Sequence, residues 1–66
     1  MRLTINGEAR ELTSARTIAA MVAELGLDLR KVAVERNLEI VPRSLYGETA
    51  LAEDDRIEIV HFIGGG

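Results

Sequence analysis

The chain has 66 residues, a formal net charge of −3, 47% hydrophobic residues and one proline. Such a chain forms one small domain without a deep substrate cleft, and it is too apolar to be disordered. A single lysine among scattered arginines argues against a phosphate-binding surface, so we expect no nucleic-acid partner. The absence of cysteine excludes disulfides, thiol catalysis and thiolate ligands, and we expect no bound metal.

The N-terminus enters a strand pattern at once, beginning with Met1-Arg2-Leu3, and this leaves no room for a signal peptide. No apolar run approaches the length of a membrane span. We therefore expect a cytoplasmic protein that does not engage a membrane.

The first element is a predicted β-hairpin. Polar and apolar residues alternate over Arg2–Ile5 and again over Glu8–Leu12, and Asn6-Gly7 lies between the two runs. Both turn residues tolerate positive φ, which makes this pair a strong signal for a two-residue hairpin turn.

A helix is predicted next, because four apolar residues recur at positions i, i+3, i+4 and i+7. This apolar stripe consists of Ile18, Met21, Val22 and Leu25. Thr17 is the expected N-cap, with Ser14 as the other candidate, and Gly26 occupies the position of a left-handed residue that would end the helix.

Two further strands follow the helix. Lys31–Glu35 alternates and ends at Arg36-Asn37, which we predict to be a turn pair. Ile40-Val41 reads as a short strand, and Pro42 after it denies the sheet a backbone donor, so this strand is expected at an edge.

The segment Arg43–Gly47 has no clear period and predicts a turn or a 3₁₀ segment, with Leu45 and Leu51 packing inward. Ala52–Asp55 is a polar turn before the last strand. Its acidic residues could be imagined as a cation site, but an acidic turn is usually just solvated.

The last strand, from Arg56, is rich in β-branched residues and runs into three glycines. The order of elements predicts an α+β protein with a mixed sheet of four to five strands and one main helix on one face. With the last strand central and parallel to the first, this is the β-grasp (ubiquitin-like) arrangement. We assign residues 1–63 to this domain and residues 64–66 to a flexible glycine tail.

Alternation in the last strand places Ile57 and Ile59 on one face and Glu58, Val60 and Phe62 on the other. If the isoleucines meet the helix, Val60 and Phe62 lie on the uncovered face, just before the tail. We predict that they form a docking patch for a partner, and Ile63 extends it.

The sole His61 and the sole Tyr46 are interpreted as structural or interface residues. A general base requires a nucleophile and a pocket, and this chain offers neither. We therefore predict no catalytic residue in this protein.

The tail Gly64-Gly65-Gly66 has no Cβ atoms and can be threaded where any side chain would clash. Extended, it projects the terminal carboxyl roughly 10 Å beyond the domain. A carboxylate is a poor electrophile and needs activation. The same tail could also be incidental, a frayed end or the remnant of a tag.

Taken together, the hairpin, the segment Asn37–Arg43 (Asn-Leu-Glu-Ile-Val-Pro-Arg), Asp55–Val60 and the end Phe62–Gly66 resemble the ThiS family, the sulfur carrier proteins of thiamin (thiazole) biosynthesis. The resemblance covers nearly the whole chain. The family requires two terminal glycines, which correspond to Gly65 and Gly66, so Gly64 is an addition.

The resemblance implies a cycle on Gly66. An activating enzyme of the ubiquitin-activating type uses ATP to make the Gly66 acyl-adenylate, and sulfur from a partner's persulfide displaces AMP to leave a thiocarboxylate. Thiazole synthase then takes the sulfur. The chain itself would bind no cofactor. In a chain without cysteine, sulfur can be carried only on the carboxylate.

Three alternatives stay open at this point. The small subunit of molybdopterin synthase uses the same carrier chemistry, but such proteins tend to be longer and to carry proline before the final glycines, where this chain reads His61-Phe62-Ile63. A ubiquitin-like protein modifier is the second alternative. A non-covalent β-grasp binding or regulatory module with an incidental tail is the third.

Overall fold

A computed structural model describes residues 1–62 of the chain. Its regular elements are β1 (Arg2–Ile5), β2 (Glu8–Glu11), α1 (Ile18–Glu24), β3 (Val32–Arg36), β4 (Glu39–Val41) and β5 (Arg56–His61). Short 3₁₀ helices lie at Leu29–Lys31 and Arg43–Leu45. The strands form one sheet in the order β2-β1-β5-β3-β4, and α1 packs on one face. The predicted α+β arrangement is confirmed.

The predicted hairpin forms, with a two-residue turn between β1 and β2. Asn6 and Gly7 both have positive φ, 51° and 83°, as a primed hairpin turn requires. The register runs from Arg2 opposite Glu11 to Ile5 opposite Glu8. Every residue of β2 is exposed, which suits its place at one edge of the sheet.

The helix is capped at both ends as predicted. At its start, the Thr17 hydroxyl accepts a hydrogen bond from the Ala20 N–H at 3.2 Å. At its end, Gly26 has φ 78° and the Leu27 N–H donates to the Val22 carbonyl at 3.0 Å, which is a Schellman closure. A residue with a side chain would be strained at Gly26.

Strand β5 lies in the centre of the sheet, as predicted. It runs parallel to β1, with Ile5 opposite Ile57, and antiparallel to β3, with Val32 opposite His61. β4 is the other edge strand, and this placement is also confirmed. The last strand of the described fold is therefore held from both sides.

The turn after β3 differs from the prediction by one residue. Arg36 still belongs to β3, since it pairs with both Glu39 and Ile57. Asn37 and Leu38 form the turn instead, with φ values of 51° and 72°. Asparagine adopts this conformation readily, which agrees with the predicted turn at Asn37. Leucine does so rarely, so the local sequence does not indicate Leu38 as the second turn residue.

The core lies between α1 and the sheet. Its fully buried large side chains are Leu3, Ile18, Met21, Val22, Val32, Val34 and Ile57. Leu51 packs inward as predicted, but Leu45 does not, because it is 43% exposed. Tyr46 takes the inward position instead, and its hydroxyl donates to the Val32 carbonyl at 3.3 Å. Within residues 1–62, no helix is both long and apolar enough to cross a membrane.

Candidate functional site

The candidate site is the face of the sheet opposite α1, together with the end of β5. As predicted, Ile57 is fully buried and Ile59 packs against the core, whereas Val60 is 60% exposed on the opposite face. Phe62 is 47% exposed just beyond the strand. Its N–H donates to the Lys31 carbonyl at 2.7 Å, so contact with the β3 side continues one residue past the end of β5.

Four residues of the predicted site lie outside the part of the chain that the structure describes. They are Ile63, assigned to docking, and Gly64, Gly65 and Gly66, assigned to the tail and its modification. Their roles stay predictions, as does the division of the chain at residue 64.

The exposed apolar surface extends across the sheet to β4. Ile40 is 75% exposed, and it lies opposite Glu35 in the register of β3 and β4. A shallow hollow of about 90 Å³ is lined by Ala33, Val34, Glu35, Ile40, Glu58 and Val60. We call five of these residues, Ala33, Glu35, Ile40, Glu58 and Val60, the open-face patch. Ile40 is not among the predicted docking residues, although its alternation with the buried Val41 places it on this face.

The start of β5 is fixed by a buried carboxylate. Asp55 is 5% exposed and accepts hydrogen bonds from Arg36 Nε at 2.7 Å, Asn37 Nδ2 at 3.0 Å and the Ala52 N–H at 2.8 Å. Burial alone raises the pKa of Asp55, but these three donors outweigh it and hold the pKa below its ordinary value of 3.8. The prediction of a solvated acidic turn is thus wrong for Asp55, because the guanidinium of Arg36, at the end of β3, lies beside its carboxylate.

Asn37 connects this carboxylate to the strand itself. The Asn37 side-chain oxygen accepts a hydrogen bond from the Arg56 N–H at 2.9 Å, and the Asn37 backbone N–H donates to the Arg56 carbonyl at 2.7 Å. The first residue of β5 is therefore bound to the β3–β4 turn from both of its backbone groups.

The middle of β5 is held from the other side by Asn6. β1 ends at Ile5, yet the Asn6 side chain continues the pairing: Oδ1 accepts from the Ile59 N–H at 2.7 Å and Nδ2 donates to the Ile59 carbonyl at 3.2 Å. The sequence predicts Asn6 only as a turn residue. Its second role requires β5 to lie beside β1, which local sequence does not reveal.

His61 and Tyr46 differ in their surroundings. Tyr46 is buried and hydrogen-bonded to Val32, which confirms its interpretation as structural. His61 is exposed at the end of β5, beside a cleft that Asn6 and Arg10 also line.

This mixed sheet, with its last strand central and parallel to the first and one helix on one face, defines a β-grasp protein of the ubiquitin-like type. The model of the ThiS family matches residues 3–66. The chain therefore belongs to the ThiS family.

Solved structures and a curated relative agree with this assignment. A crystal structure of the thiamine biosynthesis protein ThiS from Geobacter metallireducens superposes with a TM-score of 0.83, at 29% identity and with all of both chains covered. The sulfur carrier protein ThiS of Bacillus subtilis is 42% identical, over 97% of this chain and 98% of that protein.

Two longer relatives are thiazole synthases. Those of Paramagnetospirillum magneticum and Magnetococcus marinus are 58% and 47% identical to this chain over all of its 66 residues. The chain spans 20% of the length of each of them. Each of these thiazole synthases thus contains a segment similar to the whole of this chain.

Proposed function

We propose that the chain is a sulfur carrier that supplies sulfur for thiazole formation in thiamin biosynthesis. The observation that carries the proposal is the similarity, over nearly the full length of both proteins, to the B. subtilis protein named as a sulfur carrier. In this proposal the chain is a co-substrate of partner enzymes and performs no catalysis itself. Because the cycle consumes ATP, we place it in the cytoplasm.

The reacting group is the carboxyl of Gly66. A carboxylate oxygen attacks the α-phosphorus of ATP in the activating enzyme, pyrophosphate leaves, and an acyl-adenylate forms. The terminal sulfur of a partner's persulfide then attacks the acyl carbon and AMP leaves. A second thiol attacks the partner's sulfur in the resulting acyl disulfide, forms a new disulfide with it, and releases the thiocarboxylate on Gly66. The chain binds neither ATP nor any other cofactor on its own.

Two physical features support this chemistry. The chain has no cysteine, so none of its side chains can carry a persulfide or a thioester. Gly64 and Gly65 allow the backbone to pass through narrow channels, which a group that visits several active sites in turn must do. Both features concern delivery of the carboxyl, which is the task of a carrier.

We propose three partners for this cycle: the activating enzyme, a persulfide-bearing sulfur donor and thiazole synthase as the acceptor. The last is supported by the two thiazole synthases that contain a segment similar to this chain. Docking would use Val60 and Phe62, both exposed at the end of β5, with Ile63 continuing the surface.

The proposal is tested by altering the C-terminus. Deletion of Gly66, or addition of one alanine after it, should abolish ATP–pyrophosphate exchange by the activating enzyme, because the carboxyl is then misplaced. Circular dichroism should remain unchanged, since all five strands of the described sheet and α1 lie before Gly66. A matched control adds one alanine before Met1 and should exchange normally. Normal exchange by either C-terminal variant would contradict the role of Gly66.

A further inference from the structure

Two carboxylates face each other on the open face of the sheet. Glu35 on β3 lies directly opposite Glu58 on β5, and both line the hollow of the open-face patch. Both are half-buried. Directly opposed like charges on neighbouring strands oppose sheet formation, since their Cβ atoms lie only about 5 Å apart.

No basic group neutralises this pair within the described fold. The ion pairs shorter than 4 Å among residues 1–62 are Met1–Glu11, Arg30–Asp28 and Arg36–Asp55. Arg56 shares the open face with Glu58, one strand repeat away, but it approaches neither carboxylate to within that distance. The pair therefore meets solvent in the isolated chain.

The surroundings of the pair are apolar. Ile40 lies beside Glu35 across β3 and β4, and Val60 follows Glu58 along the same face of β5. These two side chains are 75% and 60% exposed, respectively. A partner that covers them also removes water from Glu35 and Glu58, and buried carboxylates without a cation are strongly disfavoured. An apolar partner surface alone would not fit.

We propose that the open-face patch docks a protein surface that inserts one arginine between Glu35 and Glu58, with apolar side chains around it that contact Ile40 and Val60. This inference rests on the proposed function, because it takes the open face as the docking surface of the carrier. Arginine fits better than lysine: its planar guanidinium has five donors, can bond two carboxylates at once, and loses hydration more readily.

The test measures docking separately from chemistry. Isothermal titration calorimetry without ATP gives the Kd of the full chain for the activating enzyme of the same organism. The variant E35Q/E58Q keeps the size of both side chains but removes their charge, and it should bind at least tenfold more weakly. The salt dependence of its Kd should also be smaller than that of the wild type.

The matched control is E8Q/E48Q, which removes the same charge from two exposed glutamates away from the open-face patch. It should bind within twofold of the wild type. The thermal midpoint of E35Q/E58Q should equal or exceed that of the wild type, because removal of the like-charge pair relieves repulsion. That result would exclude misfolding as the cause of weaker binding.

The outcomes separate the two proposals. A wild type that becomes a thiocarboxylate, alongside an E35Q/E58Q variant that binds equally tightly, would overturn the arginine inference and leave the carrier function standing. A wild type that binds but never acquires sulfur would contradict the carrier function, while weaker binding by E35Q/E58Q alone would still support the docking inference. A wild type that does not bind the enzyme would overturn both.

Discussion

At the scale of single residues, the carboxylate of Asp55 fixes the start of β5. Asp55 is the buried charged residue of the described fold, and it connects the β3–β4 turn, through Arg36 and Asn37, to the start of β5. The Coulomb attraction between Arg36 and Asp55 is partly offset by the cost of burying the carboxylate. Its value lies in the directed hydrogen bonds, which specify where β5 begins.

We predict that Asp55→Asn lowers the free energy of unfolding by about 3 kcal/mol at neutral pH, because Arg36 and the Ala52 N–H lose a charged acceptor. Chemical denaturation measures the change. Asp54→Asn is the matched control: Asp54 is exposed in the same turn, and asparagine tolerates its φ of 69°. Similar losses from both substitutions would contradict the assigned role of Asp55.

The same residue predicts a pH dependence. The pKa of Asp55 is lower in the folded than in the unfolded chain, so the folded state is stabilised above the ordinary value of 3.8, and this contribution is lost as pH falls through the folded pKa. The stability difference between wild type and Asp55→Asn should therefore be constant above about pH 5 and narrow below pH 4. A difference that stays constant down to pH 2 would be inconsistent with this ionisation.

At the scale of elements, β5 is fixed along its length by asparagine side chains on both sides. Asn37 pairs with the backbone of Arg56, and Asn6 pairs with the backbone of Ile59. Each asparagine also forms a turn with positive φ. One residue type thus supplies both the reversal of a hairpin and an extra pair of hydrogen bonds to the neighbouring strand.

We predict that Asn6→Gly loosens β5 locally without opening the hairpin. Glycine keeps the positive φ of the turn, whereas both side-chain hydrogen bonds to Ile59 are lost. Hydrogen exchange of the Ile59 amide should accelerate about fivefold, as expected when about 1 kcal/mol of hydrogen bonding is removed. The Phe62 amide, which bonds Lys31 on the other side, is the internal control. Unchanged exchange at Ile59 would contradict the proposal that the Asn6 side chain holds β5 in place.

Local signals in the sequence predict the elements well, because their causes are local. The Asn6-Gly7 turn, the Thr17 cap and the Gly26 end of α1 each depend on backbone conformation within a few residues. The alternation of residues along β5 likewise predicts that Ile57 and Val60 lie on opposite faces of the sheet. These features required no knowledge of which strands pair.

The features that sequence reasoning missed depend on contacts between distant segments. Asp55 is buried because Arg36 of another strand reaches it, and Tyr46 replaces Leu45 in the core because the Val32 carbonyl offers its hydroxyl a partner. The opposition of Glu35 and Glu58 requires the register of β3 and β5. None of these pairings has a signature within one segment.

At the scale of the whole molecule, the two faces of the sheet differ in burial. One face and α1 build the core, and the other face presents the open-face patch beside the end of β5. Phe62, the last residue that the structure describes, follows this surface at the end of β5. The docking that we propose would therefore use the face of the sheet opposite the core.

We predict that Phe62→Ala weakens binding to the activating enzyme by about 2 kcal/mol, a loss typical of a buried aromatic anchor. Leu38→Ala is the matched control. Leu38 is even more exposed, at 75%, but it lies in the β3–β4 turn beside the start of β5, whereas Phe62 follows its end. Titration calorimetry compares the two variants. Equal affinities for Phe62→Ala and wild type would remove Phe62 from the docking surface.

Intact-mass spectrometry can detect the sulfur that we propose this chain carries on Gly66. The chain is incubated with the activating enzyme, ATP and a persulfide donor of the thiamin pathway, and the C-terminal peptide is then isolated. We expect the mass increase of one sulfur replacing one oxygen, confined to that peptide. An increase seen only with molybdopterin-pathway enzymes would assign a different acceptor, and an unchanged mass with either set would contradict the carrier function.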